Sequence, residues 1–406
     1  MLLITRLAAA AGLAAVLAAP AFAQTTTPTA LNGQLNWGDV VADINVVTRH
    51  GAHSAAAVAT AAGNSVSGAN VNGGLDGESE QTMSGATFAY ATLEGGNVKS
   101  ASAMSTAQGN TLQAQATNGA LNLTAAQTAD GGDALARSRV NIGNAQTLAA
   151  VSSAASNNAA TAANHGDLNV ALTQSASNSA YAITDVDACC TGQTAAGASA
   201  AINAWSSSST TSTVNAPYHQ DSTGYASEAT ADVYQNRAYG VTAATTAAAN
   251  SASIANEWGY AQIRGRQNSS TNVKADTRVT LPDFSGTTSI SAYGVGHSTL
   301  ATNVGSDMVV DIAQLNTGGV DANAQFTGAS YDHGDVVLAS TAIGNGFTGY
   351  VCSQCGDAAL TGTVSQTNGG NIVSTGSINA NGAGLIIGSA SAIGNSATFI
   401  TTQKGH

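Results

Sequence analysis

Short runs along this chain alternate apolar or small residues with polar ones, and each run closes on a glutamine. Six residues before the glutamine stand Leu75, Leu121, Leu168, Val214, Ala261, Met308 and Leu360. Positions four and two before it are small or apolar in most copies, as in Leu123 and Ala125 or Ile312 and Val310. Period two with one apolar face predicts a strand buried on one side. Four residues after the glutamine comes Gly38, Gly85, Gly131, Asn178, Gly224, Thr271, Gly318 or Gly370. Gly with Asn as its substitute predicts a turn built on positive φ.

The glutamines themselves keep a period. Gln34, Gln81, Gln127, Gln174, Gln220, Gln267, Gln314 and Gln366 are separated by 47, 46, 47, 46, 47, 47 and 52 residues. A second mark runs in phase with them: Asn64, Asn110, Asn158, Asn203, Asn250, His297, Asn345 and Asn395. Small residues and a Gly-Asn pair surround it, which reads as a strand packed close to a neighbour and ended by a tight turn. Two marks held in phase over eight copies mean one structural unit repeated. The prediction is an all-β, elongated β-solenoid (β-helix) of about eight 46–47-residue repeats. Two coils per repeat, each of ~23 residues, would give about sixteen rungs and a spine of ~75 Å at ~4.8 Å per rung. One coil per repeat would enclose more space than Ala and Ser can fill. Helix is disfavoured because Thr, Ser, Val and Gly interrupt the alanines and no 3.6-residue stripe persists.

Composition narrows the function. There are 11 basic and 23 acidic residues, a net charge of −12, and charged residues make up 8% of the chain where ~25% is usual. Nucleic acid is a poor partner without a basic stripe, and a cationic partner is favoured. With 6 Phe and 3 Trp in 406 residues, a thin spine of short strands suits the chain better than a bulky globular core. Residues 1–23 read as a signal peptide: Arg6, then LAAAAGLAAVLAA, then Ala21-Phe22-Ala23 before Gln24. No Cys follows the cleavage site to take a lipid. Residues 24–33 read as an N-terminal linker and 34–406 as the solenoid, exported and soluble.

The search for chemistry finds no catalytic constellation, no metal site and no cofactor motif in its structural context. His297 occupies a mark position and reads as a turn residue, and Asp332-His333-Gly334-Asp335 as loop. Of the four cysteines, Cys352 and Cys355 are expected to close a small disulfide loop. Adjacent Cys189 and Cys190 are expected to form a vicinal disulfide or to remain as two thiols. Aromatic residues cluster between 181 and 260. Tyr181, Trp205, Tyr218, Tyr225, Tyr234, Tyr239, Trp258 and Tyr260 are candidates for a sugar-stacking platform, or else for a bulkier local core. An uncapped solenoid end also invites self-association.

A signal peptide, no lipid anchor, Asn/Gln/Gly-marked Ala-Ser-Thr repeats running to the C-terminus, and no barrel domain together resemble the holdfast anchor proteins of stalked bacteria, of the HfaD type. The resemblance implies a non-enzymatic protein at the outer-membrane surface that fastens an adhesive polysaccharide. It implies two protein partners, a curli-pore-like lipoprotein and a smaller curli-like anchor protein. Curli-type fibre proteins share Gln, Asn and Gly at strand ends but use units of ~20 residues. A self-polymerising, curli-like amyloid subunit is the alternative function.

Overall fold

The structure, a computed structural model, describes residues 29–48, 51–330, 332–353 and 358–402. Among them every regular element is a strand. Eight short strands form one parallel sheet: Thr29–Asn36, Leu75–Met83, Leu121–Ala129, Leu168–Ala176, Val214–Ser222, Ala261–Ser269, Met308–Asn316 and Leu360–Asn368. The long segments between them, such as Thr87–Thr117 and Ala134–Asn164, stack into a second parallel sheet. The first strand starts at Thr29, inside the stretch expected to be a linker. The expected signal peptide and Cys355 lie outside the described residues.

Each residue pairs with its counterpart one full repeat away, as in Leu121↔Leu168, Ala134↔Ala180 and Asn164↔Thr210. One repeat is therefore one coil, which corrects the expectation of two. Eight coils at ~4.8 Å give a spine of about 35 Å. The coil avoids an unfillable lumen by lying flat. In the coil starting at Leu121 the chain runs out through 121–142, bends back near 143–147 and returns through 148–163. The two walls are close enough to bond directly: Ser138 Oγ donates to the Val151 carbonyl at 2.6 Å, and the Ser138 N–H donates to Ser152 Oγ at 3.0 Å. Alanine and serine are the right size for walls this close.

Two apolar lobes fill the coil. The wider one is mostly alanine, with Leu93, Val140, Phe284 and Phe326 among the larger members. The other lies behind the short strands and holds Leu168, Leu172, Trp205, Ile263, Met308 and Phe347.

The two sequence marks meet at the waist between the lobes. Each glutamine donates one N–H to the glutamine before it, from Gln81 to Gln34 at 3.0 Å through Gln366 to Gln314 at 2.8 Å. Its other N–H crosses the coil, as from Gln174 to the Ala204 carbonyl at 3.0 Å. Each asparagine mark donates to the mark after it, as Asn110 to Asn157 and Asn157 to Asn203, both at 2.8 Å, and Asn250 to His297 at 3.2 Å. Its second N–H crosses the other way, as from Asn110 to the Thr128 carbonyl at 2.7 Å. Buried amides paired both along the stack and across the coil lock its register. The third mark is Asn157, and Asn158 sits one place off the ladder. A tight turn is also absent at these marks. Asn110 and His297 lie inside the continuous strands Thr87–Thr117 and Thr287–Val304, where consecutive buried residues mark a bend.

The glycines after each glutamine keep ordinary φ. They are required because the rungs approach there: a Cβ on Gly131 would overlap the Ser84 carbonyl, and one on Gly224 the Asn178 carbonyl. The positive-φ column is elsewhere, at the bend before each short strand: Asn72, Asn118, His165, Thr211, Trp258 and Gly305. Asn118 Nδ2 donates to Asn72 Oδ1 within this column, at 2.8 Å.

Candidate binding face

Strand periodicity puts every second side chain of the long segments on the outside, and one coil per repeat turns those positions into columns. One column reads Phe88, Leu135, Tyr181, Glu228, Lys274, Asp321. The next reads Tyr90, Arg137, Ile183, Thr230, Asp276, Asn323. The third places Arg139, Asp185, Asp232 and Arg278 side by side, and the fourth places Asp187 beside Tyr234. The result is an apolar and aromatic patch beside a band of carboxylates. Phe88 and Tyr90 stack with centroids 6.2 Å apart and planes 13° apart.

Charges in the band are partly paired. Arg137 Nη2 meets Asp185 Oδ2 at 2.7 Å, Lys274 Nζ meets Glu228 Oε1 at 2.9 Å, and Arg278 bonds Asp276. Burial pushes the Asp232 carboxyl above its usual range, and the neighbouring Asp185 and Asp276 charges add to this against Arg278. Asp321 is pushed up as well, first by burial and then by Asp276. Carboxylates crowded like this repel one another, so a cation arriving among them is attracted. Aromatic faces beside hydrogen-bonding carboxylates suit a ligand with one apolar and one polar side.

A second outward surface covers the short strands. Two adjoining shallow grooves of about 550 and 570 Å³ run across the rungs and share Thr124, Ala171 and Pro217. Asp76 and Glu78 line one end, and Arg264 and Arg266 the other.

The aromatic platform expected from sequence does not form as a unit. Trp205 and Tyr218 are 2% and 5% exposed and belong to the smaller lobe. Their rings pack at 5.4 Å, Trp205 Nε1 donates to Thr161 Oγ1 at 3.2 Å, and Tyr218 Oη bonds Thr299 Oγ1 at 2.7 Å. They point inward because their positions share the inward phase of their strands, so they wedge the core. Tyr234 lies on the aromatic and acidic face. Tyr225, Tyr239, Trp258 and Tyr260 are exposed but sit at separate bends of the coil, with only Trp258 and Tyr260 at the same one. Tyr181 also lies on this face, whereas Phe88 and Tyr90 were missing from the candidates. Their signal was available: Phe88 and Tyr181 fall two repeats apart in the same strand phase.

Cys189 and Cys190 carry free thiols with their sulfurs 2.9 Å apart on the surface. Contact with Cys189 and burial raise the Cys190 pKa. Among the described residues no three His, Cys, Asp or Glu side chains are placed to hold a metal ion.

The repeat scaffold presents a patterned outer face, and the family comparison supplies its role. The family model of holdfast attachment protein D, HfaD, matches residues 49–319. The chain belongs to the HfaD family. The match runs from the first coil into the seventh and so takes in most of the aromatic and acidic face. No curated protein and no solved structure matches the chain. Membership of a holdfast attachment family makes the role one of adhesion at the cell surface or envelope, a structural task.

Proposed function

We propose that this HfaD-family protein is an exported, non-enzymatic anchor that fastens an adhesive polysaccharide to the outer membrane. In this reading the aromatic and acidic outer face holds the sugar chain. Tyr181, Tyr90 and Phe88 stack on sugar rings, and Asp185, Asp187 and Asp232 accept hydrogen bonds from hydroxyl or ammonium groups. The observation that carries the reading is the columnar register, which sets these aromatic and carboxylate side chains on neighbouring rungs at ~4.8 Å steps along the stack. Many weak contacts on one rigid scaffold add up to firm attachment. A deacetylated amino-sugar polymer would be cationic and would suit the net charge of −12. Export through a curli-pore-like lipoprotein and cooperation with a smaller curli-like anchor protein complete the proposal.

The test uses cells carrying Tyr181→Ala or the double substitution Asp185→Asn with Asp232→Asn. Surface polysaccharide and shed polysaccharide are measured alongside surface protein. The expected result is normal surface protein with shedding raised about tenfold, since a stacking contact of about 1.4 kcal/mol is worth a factor of ten in binding. Cells lacking the protein that still hold their polysaccharide would refute the anchor role. Undiminished attachment by both folded variants would refute this face.

A further inference from the structure

The two amide ladders run with opposite polarity, and this makes the two ends of the stack complementary. Glutamine N–H groups point toward the first coil and asparagine N–H groups toward the last. Among the described residues the glutamine ladder runs as far as Gln366, whose Oε1 meets no further amide. The asparagine ladder starts at Asn64, whose Oδ1 meets none either. At the opposite ends, Gln34 and Asn395 each turn one N–H across the coil, to the Ser65 and Gln366 carbonyls, and among the described residues the second N–H of each has no ladder partner. The columns are spaced alike in sequence at both ends, 34 and 64 against 366 and 395. Val46 and Ile378 occupy one shared inward column, linked rung by rung through Leu93, Val140, Val186 and their successors.

Among the described residues the last coil carries no charge or proline to protect its strand edge. Residues 358–402 contain no Asp, Glu, Lys, Arg or Pro. Leu385, Ile386, Ile387, Phe399 and Ile400 are each at least 40% exposed there. Soluble β-proteins blunt such edges with charge, proline or a cover. We propose that the last coil of one molecule docks onto the first coil of a second copy of this chain, head to tail. Gln34 of the incoming copy donates to Gln366, Asn395 donates to Asn64, and the solenoid continues across the junction. Such a contact is heterologous and unclosed, so it builds a filament from folded molecules. It stands on the ends alone and does not depend on what the outer face binds.

Two variants with an inward charge at one end test this: Val46→Lys blocks the first coil and Ile378→Lys the last. Analytical ultracentrifugation should show the wild-type chain forming filaments. Each variant alone should remain monomeric with an unchanged circular dichroism spectrum. Their equimolar mixture should stop at a dimer, because each supplies one free end. Dimers of either variant alone would mean like-end pairing and would overturn the proposal, as would a wild-type monomer at every concentration. Hydrogen exchange on the wild-type chain reads the same contact without substitution. From dilute protein to about a hundredfold higher concentration, protection should rise together in 29–71 and 360–402. Protection at one end only, or at neither, would overturn the proposal even if the variants failed to fold.

Discussion

His297 is the one place where the asparagine ladder changes chemistry, and its replacement by asparagine tests the account of the waist. Asn250 Nδ2 donates to His297 Nδ1 at 3.2 Å, and His297 Nε2 donates to the Leu315 carbonyl at 2.9 Å. The ring thus mimics an asparagine, with Nδ1 in place of Oδ1 and Nε2–H in place of one amide N–H. This requires the neutral tautomer protonated on Nε2. A neutral imidazole has a single N–H, so none is left for the next rung, and Asn345 Oδ1 is buried without a partner. Such an orphan costs ~1–3 kcal/mol. His297→Asn supplies the missing donor and should stabilise the protein by about 1–2 kcal/mol at neutral pH, after a small loss from the smaller side chain.

The same substitution changes the pH dependence. Burial lowers the His297 pKa to about 4, against ~6.5 in the unfolded chain. Between these values the unfolded state binds the extra proton, so stability falls as pH drops from about 6.5 to about 4. It is fully present above that window and levels off below it. The loss attributable to His297 is roughly 2 kcal/mol at pH 5. The advantage of His297→Asn should therefore widen to about 3–4 kcal/mol at pH 5. Urea unfolding of both proteins at neutral pH and near pH 5 measures this, and the comparison cancels carboxylates common to both. An advantage that stays constant with pH would refute the buried neutral ring. A variant less stable at neutral pH would refute the ladder reading.

Gln174→Leu removes the acceptor of one Gln220 amide N–H and the donor to Gln127 Oε1 and to the Ala204 carbonyl, and should cost about 2–4 kcal/mol in chemical denaturation. An effect under ~0.5 kcal/mol would show the ladder to be energetically idle. Trp205→Ala should cost ~3–5 kcal/mol as a core cavity, with no loss of polysaccharide binding in whatever fraction stays folded. Gly131→Ala should lower the melting temperature sharply, because the added methyl meets the Ser84 carbonyl of the neighbouring rung.

Legibility of the fold followed from the physics of stacking. In a parallel solenoid every column must tolerate its own residue type above and below, so the 46–47-residue period and both amide marks survive in the sequence. Strand phase was legible too, since the alternation before each glutamine matches the buried positions of Leu121–Ala129 and Leu168–Ala176. The spacing of Gln81, Asn110 and Gln127 likewise encodes two walls facing each other, although it reads as such only once the coil is known.

The binding face was only partly legible. Aromatic residues could be counted, but which of them faced out depended on bends within the long strands. Each bend shifts the alternation by one residue, so Trp205 falls inward while Tyr234 falls outward. Neighbours within the face, such as Tyr181 beside Glu228, are 47 residues apart and meet only through the coil.

The sequence by itself determined that this is a periodic, all-β stack, because a repeated column leaves a repeated residue. Tertiary structure decided the size of the coil, because flattening lets alanine-lined walls touch, and that outcome is a property of the walls together. It likewise decided why each glycine is needed. Gly131 is held by the backbone of the next coil, a neighbour that no local reading of the chain contains.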